Sequence, residues 1–191
     1  MGYPAYGKMD MEDVYSIIAY VRTLPQNKNE VPARELDFPM NFIVNTIPSK
    51  GTLSVKPDTN NAVAYGGYLV TVARSVECHS KVDKGAVIAG TEFGGGREFD
   101  FPNGTSCNTA NITPDKGTGI GGWSKENFIQ RFKQYRDTSY HMNVLGKSDF
   151  NTVMPWLMYS GMTVKDLSSI YEYLRTVKPV KNTVQHFTRK S

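Results

Sequence analysis

Cysteine is scarce in this chain of 191 residues, and its scarcity excludes several kinds of site. Only Cys78 and Cys107 are present. Two cysteines cannot build a disulfide framework, a four-cysteine zinc site or a four-cysteine iron–sulfur cluster. Long apolar runs are also missing, since none approaches the roughly 18 residues that a membrane-spanning helix requires. The glycine-rich stretches do not match the dinucleotide-binding pattern, and no set of residues resembles a general acid, a nucleophile or a phosphate cradle.

An excess of one charge is absent as well. The chain has 22 Lys and Arg against 18 Asp and Glu, a net charge of +4, and the basic residues are dispersed along it. A dispersed, mildly basic surface gives no support to nucleic-acid binding, so we expect none. The first residues, MGYPAYGKMDMEDVY, have neither the basic region nor the apolar run of a secretory signal.

A repeat links the two ends of the chain. Residues 1–29 align without a gap to residues 154–182, with eleven identities in 29 positions. Ordinary residue usage would give about two identities. The identical pairs include Met1/Met154, Tyr6/Tyr159, Met9/Met162, Asp13/Asp166, Ser16/Ser169, Ile17/Ile170, Tyr20/Tyr173, Arg22/Arg175 and Thr23/Thr176.

Both copies follow the same physical plan, a loop opened by methionine and then an amphipathic helix. In the second copy Thr163 is the expected N-cap, with Asp166 as the capping-box carboxylate. Apolar residues then recur at helical spacing, and the helix should end near Pro179. In the first copy the helix should end by Pro25. The apolar positions predicted to share a face of the second helix are Leu167, Ile170, Tyr171 and Leu174.

The repeat also predicts the domain organisation. If the second copy closes a complete domain, the first copy closes a domain whose front half is absent. We expect residues 1–27 to be the C-terminal remnant of a first domain and residues 28–60, with four prolines, to be an interdomain connector. Residues 61–185 should form the complete domain, and 186–191 a tail. A missing N-terminal portion would also have carried any signal peptide.

The main chemical motif lies at Ser75-Val76-Glu77-Cys78-His79. It resembles C-x-x-C-H, in which two thiols bond the haem vinyl groups and the adjacent histidine ligates the iron. Ser75 stands where the first cysteine belongs. Serine cannot form the thioether, so at most one covalent bond, through Cys78, is available. Without haem, Cys78 would be a small buried side chain and His79 a hydrogen-bonded histidine.

The order of segments resembles the class I cytochrome c superfamily, in particular the two-haem cytochromes c that serve periplasmic dehydrogenases. The similar segments are Gly67–Val70, Ser75–His79, Ala110–Asp115, Thr118–Trp123 and Met154–Trp156. The resemblance implies an all-α fold, a small helical cytochrome c domain with long irregular loops. It implies one haem c with a single thioether, held by His79 and Met154 as axial ligands. It also assigns Met1 to the methionine position of the truncated first domain.

The same resemblance gives Asn111 and Thr113 a role, and the chemistry of other side chains makes them candidates too, each with an ordinary structural alternative. Asn111 and Thr113 would contact the haem propionates or the pocket rim, although their segment is also an ordinary turn. Arg97 would pair with a propionate or lie in solvent. His141 is the alternative distal ligand. His186 should be exposed, Trp123 should lie in the core, and Cys107 is a spare thiol or, without haem, a disulfide partner of Cys78.

The expected function is single-electron transfer in the periplasm, without catalysis by this chain. Its partners would be redox proteins: a periplasmic dehydrogenase, a cytochrome or an oxidase. Membrane association would come only from missing segments or partner subunits. Two other functions stay open: a haem-free structural or docking subunit descended from a cytochrome, in which Ser75 records the loss of the cofactor, and a haem enzyme, against which Met154 argues by filling the iron position.

Overall fold

The structure, a computed structural model, describes residues 3–47, 50–137, 146 and 149–189. These residues form two compact units, one up to Lys56 and one from Pro57 onward. The helices are α1 (Tyr3–Tyr6), α2 (Met11–Thr23), α3 (Met40–Thr46), α4 (Ala62–Val72), α5 (Ser75–Cys78), α6 (Lys125–Lys133), α7 (Trp156–Tyr159) and α8 (Val164–Thr176), with a 3₁₀ turn at Gln134–Arg136.

The second unit also contains short antiparallel strands. The strands are β1 (Val82–Asp83), β2 (Ala86–Val87), β3 (Glu98–Asp100), β4 (Thr105–Asn108) and β5 (Phe187–Arg189). Lys84 and Gly85 both have positive φ, of 47° and 84°, which suits the two-residue turn between β1 and β2. The other sheet has the order β3-β4-β5, with Phe99 opposite Cys107 and Cys107 opposite Phe187.

The predicted repeat has the same local structure in both places. The bounds of α1 and α2 coincide with those of α7 and α8 when 153 is added to each residue number. The hydroxyl of Thr23 donates to the carbonyl of Tyr20 at 2.7 Å, and that of Thr176 donates to Tyr173 at 2.7 Å. The two copies therefore share helix boundaries and a side-chain hydrogen bond as well as sequence.

Helix α8 is the centre of the second unit. Thr163 caps it as predicted: its hydroxyl accepts from the Asp166 amide at 3.1 Å, and the Asp166 carboxylate accepts from the Thr163 amide at 2.9 Å. This capping box satisfies two amides that have no partner within the helix. The predicted apolar face is confirmed, because Leu167, Tyr171 and Leu174 are buried and Ile170 is partly buried. The face packs against α4 and α6.

In the first unit, helix α2 is capped like α8 but is not buried. Asp10 caps α2 by accepting from the Glu12 amide at 2.9 Å, and two hydrogen bonds from the Lys56 and Glu12 amides lower the pKa of the Asp10 carboxyl. None of the α2 residues is buried, although the helix has the apolar pattern of α8. Helix α3 lies inside the stretch that was expected to be a connector.

Three expectations need correction. Helices form the core, but five short strands appear within the described residues, so the all-α prediction is only partly right. The strands form because long glycine-containing loops fold back and pair their own amides and carbonyls. Residues 187–189, expected in the tail, add the strand β5. Trp123 is 39% exposed, not a core residue, and its carbonyl accepts from the Tyr171 hydroxyl at 2.7 Å.

The described part of the chain contains no candidate for a membrane-spanning helix. None of the helices there is both long and apolar enough to cross a bilayer.

Candidate functional site

The Cys-His motif lies on a single helical turn that follows α4 closely. The backbone reverses at Arg74, which has a left-handed φ of 57°, and α5 begins at the next residue. The His79 amide donates to the Ser75 carbonyl at 2.8 Å and closes the turn. Positions three apart on such a turn lie on the same side. Ser75 therefore occupies the side of the turn that carries the exposed thiol of Cys78.

The imidazole of His79 is fixed by one hydrogen bond. Its Nδ1 lies 2.8 Å from the backbone carbonyl of Ala110. Because a carbonyl oxygen only accepts, Nδ1 carries the proton and Nε2 keeps its lone pair. Burial of the ring lowers the pKa of His79, while the hydrogen bond to Ala110 opposes that shift. The ring is thus held in the neutral tautomer that ligates metals through Nε2.

A buried polar network fixes the loop that presents the Ala110 carbonyl. The side-chain amide of Asn111 donates to Thr118 Oγ1 at 3.0 Å and to the Val180 carbonyl at 2.7 Å. Its Oδ1 accepts from the amide and the hydroxyl of Thr113, at 2.9 and 2.7 Å. Both Asn111 and Thr113 are buried. Their polar groups are hydrogen-bonded inside the protein, and the network positions the loop that carries Ala110.

Gly95 makes the close approach of this loop to His79 possible. Its amide donates to the His79 carbonyl at 2.7 Å, and its φ is +73°. A Cβ at Gly95 would lie 2.5 Å from the Thr109 carbonyl oxygen and 2.6 Å from the Ala110 carbonyl carbon. Neither Gly95 nor Ala110 was predicted as a site residue. The sequence shows the run of three glycines. It does not show that Gly95 lies against the backbone of Thr109 and Ala110.

Met154 lies in the loop before α7 and is partly buried against the apolar core. Its amide donates to Thr152 Oγ1 at 3.1 Å, and its carbonyl accepts from the Trp156 amide at 2.9 Å. The Trp156 ring stacks on Tyr135, with centroids 5.3 Å apart, and Arg131 lies 4.5 Å from the Trp156 centroid. These contacts hold the segment that follows Met154.

The two halves of the predicted site border one apolar cluster. Val76, from the Cys-His turn, and Met154 both pack against a set of buried residues that α4, α6 and α8 contribute in large part. Ile112, two residues beyond Ala110, packs there as well. The buried members of this cluster are Val70, Phe93, Ile120, Phe128, Phe132, Leu167, Tyr171 and Leu174.

Two curated proteins that are similar to this chain are cytochrome subunits of dehydrogenases. No protein-family profile matches it. It is 33% identical over 136 residues to the gluconate 2-dehydrogenase cytochrome c subunit of Pantoea cypripedii, covering 68% of this chain and 28% of that protein. It is 31% identical over 120 residues to the fructose dehydrogenase cytochrome subunit of Gluconobacter japonicus, covering 62% of this chain and 22% of that protein.

These similarities support a cytochrome c-like relationship. The chain spans about a quarter of the length of these curated relatives, because the matched regions are 28% and 22% of them. Within residues 3–47, 50–137, 146 and 149–189, no three His, Cys, Asp or Glu side chains are grouped to hold a metal ion. A haem iron needs only two protein ligands, so that finding does not bear on a cytochrome site.

Of the remaining sequence candidates, Arg97 contacts the Cys-His turn, Cys107 and His186 lie elsewhere in the sequence, and two fall outside the described residues. Nη1 of Arg97 donates to the Glu77 carbonyl at 2.7 Å, and its guanidinium lies 4.9 Å from the centroid of the Phe99 ring. Cys107 is a buried free thiol in β4, and His186 is exposed as expected. His141 and Met1 lie outside the described residues.

Proposed function

We propose that the chain transfers single electrons through one haem c. In this proposal Cys78 forms the single thioether, and His79 and Met154 are the axial ligands. One observation carries it: the hydrogen bond from His79 Nδ1 to Ala110, which leaves Nε2 available to a metal. The similarity to two dehydrogenase cytochrome subunits supports it independently.

The residues of the Cys-His turn fit a covalently attached haem on its histidine side. The Cys78 thiol is exposed and therefore accessible to a vinyl group, and the adjacent histidine is neutral. When bound, haem supplies the one-electron iron couple. The protein contributes the histidine orientation through Ala110 and the low-polarity surroundings through Val76 and Ile112. With Met154 as a second iron ligand, the site would favour a raised reduction potential.

The proposal extends to organisation and location. Residues 1–27 would be the remnant of a first haem domain, 28–60 a connector and 61–185 the haem domain, with Met1 in the methionine position of the first. The chain would work in the periplasm with redox partner proteins, among which a dehydrogenase is favoured because both relatives are dehydrogenase subunits by name.

A second candidate function rests on Ser75. A haem-free docking subunit descended from a cytochrome would have no need of the first cysteine. It would retain the helices and the Asn111 network and carry no haem.

Haem attachment decides between the two functions. The full chain is produced in a host with a periplasmic cytochrome-maturation system, and acid–acetone extraction is followed by a pyridine haemochrome spectrum. We expect one iron per chain and haem that stays with the protein, because unfolding does not break a thioether. One vinyl group stays conjugated beside Ser75, so the band should lie to the red of a two-thioether haem c.

Three variants make the test specific. Cys78→Ser should release the haem into the solvent, whereas Cys107→Ser, a matched change at the other cysteine, should keep it bound. Ser75→Cys should return the band to the two-thioether position and raise thermal stability. Complete extraction of haem from the unmodified chain would contradict the thioether at Cys78, and no haem at all would support the docking subunit. Two irons per chain would contradict the single site.

A further inference from the structure

Arg97 lies beside both ends of the hydrogen bond that orients His79. The donor is the His79 ring, which follows the Cys-His turn, and the acceptor is the carbonyl of Ala110. These two residues are 31 positions apart in the chain, so contacts between their segments are needed to fix their relative position. Arg97 supplies such contacts, one through its side chain and the others through its backbone.

The side chain of Arg97 holds the Cys-His turn. Its Nη1 donates to the carbonyl of Glu77 at 2.7 Å, in a part-buried position. A carbonyl in the last turn of a helix has no partner within that helix, and the guanidinium supplies one here. The guanidinium also lies 4.9 Å from the centroid of the Phe99 ring, two residues further along an extended segment. Residues two apart in extended chain share a side, so the ring orients the guanidinium toward the turn.

The backbone of Arg97 holds the acceptor end of the hydrogen bond. Its amide donates to Thr109 Oγ1 at 3.1 Å, and its carbonyl accepts from the Thr109 amide at 3.0 Å. The preceding amide, of Gly96, donates to the Thr109 carbonyl at 2.8 Å. Thr109 comes directly before Ala110, so these three bonds fix the peptide unit that leads into the acceptor residue.

We propose that Arg97 is a positioning residue for His79, which keeps Nδ1 on the Ala110 carbonyl by linking the Cys-His turn to the Thr109 segment. A ligating histidine is commonly oriented by the group that accepts from its other ring nitrogen, and Arg97 acts one contact further out. This role uses the Glu77 carbonyl and needs no cofactor carboxylate. Its importance for electron transfer rests on the proposed function, whereas the geometry does not.

Solvent exchange of the His79 Nδ1 proton tests the proposal. The chain has three histidines, so labelling histidine with nitrogen-15 gives a spectrum with few signals. The exchange rate is measured by NMR on the full chain as isolated, with any bound haem in the diamagnetic ferrous state. Arg97→Gln should raise the rate at least about ten-fold, which corresponds to about 1.4 kcal/mol, because a hydrogen bond from a charged donor is lost. The amides of α8 should exchange at an unchanged rate.

Arg175→Gln is the matched control. Arg175 also donates to a backbone carbonyl, that of Gly121 at 3.0 Å, and its guanidinium lies 6.0 Å from the centroid of the Tyr171 ring. The same substitution therefore removes the same two kinds of contact in another part of the second unit. It should leave the exchange rate of the His79 Nδ1 proton unchanged.

Thr109→Val tests the backbone link separately. It removes the hydroxyl that accepts from the Arg97 amide and leaves the guanidinium in place. The exchange of the His79 Nδ1 proton should again become faster, because the acceptor segment loses one of its three bonds to residues 96 and 97.

Three results would overturn the proposal. The first is an unchanged rate for the His79 Nδ1 proton in folded Arg97→Gln. The second is an equal increase in Arg175→Gln. The third is an equal acceleration of the α8 amides in Arg97→Gln, which would show a loss of overall stability and not of positioning. If Arg97→Gln does not fold, Thr109→Val decides, and an unchanged rate there overturns the proposal. A chain isolated without haem would contradict the proposed function but not this inference, since the measurement needs no haem.

Discussion

Replacing Gly66 by alanine tests the close contact between α4 and α8 in the second unit. In an exposed helix this change would stabilise the protein by about 1 kcal/mol. Here the new Cβ would lie 1.9 Å from the Ser169 carbonyl oxygen, while ordinary contact begins at 3.4 Å. The two helices would have to separate by about 1.5 Å, and overpacking of a core costs about 3 kcal/mol in unfavourable cases. We therefore expect a net loss of about 2 kcal/mol.

Urea unfolding, monitored by tryptophan fluorescence, measures this loss of stability in the second structural unit. Both tryptophans, Trp123 and Trp156, belong to the unit that contains Gly66. Gly67→Ala is the matched control, since the three atoms nearest its Cβ would belong to the Tyr173 ring, a side chain that can shift, and not to the backbone. That variant should stay within about 1 kcal/mol of the unmodified chain. Equal or greater stability of Gly66→Ala would refute the close crossing of α4 and α8.

Three further predictions concern other described residues. Thr163→Ala removes the cap of α8 and should cost about 1 kcal/mol in the same unfolding assay, whereas Thr163→Ser should retain stability. Hydrogen bonds from the hydroxyl and amide of Thr118 and the amide of Gly117 lower the pKa of Asp115. Stability from this carboxylate is therefore present above its ordinary pKa of 3.8 and lost as pH falls through its lower folded value. Asp115→Asn should flatten the decline of melting temperature in that acidic range, and an unchanged decline would contradict the assignment. In the haem-loaded chain, Met154→Ala should shift the Soret band and lower the reduction potential; an unchanged spectrum would place the ligand elsewhere, with His141 the next candidate.

The structure also clarifies how an apolar pattern should be interpreted. The spacing of apolar residues predicted both α2 and α8 as amphipathic helices, and both form. Only α8 buries its face, because α4 lies against it. Periodicity predicts which side of a helix is suited to burial, but it does not supply the partner that buries it.

The local spacing of residues was sufficient to predict helices α2 and α8 and the Cys-His motif. The Thr163–Asp166 capping box depends on residues three apart, and the end of α2 depends on the chain just before Pro25, so both could be predicted. The placement of Ser75 and Cys78 on one turn is equally local. The resemblance to cytochromes likewise rests on short segments, and the two curated relatives agree with it.

The tertiary structure alone decided which distant groups meet. The acceptor for His79 is a carbonyl 31 residues away, and the Asn111 amide reaches the Val180 carbonyl 69 residues away. Strand β5 pairs with β4 across a still longer separation in sequence, as in the pair Cys107 and Phe187. These contacts depend on the path of the whole chain and on backbone groups, which every residue carries and which therefore leave no mark in the sequence. For that reason the network in which Asn111 positions the Ala110 loop could not be predicted from the sequence.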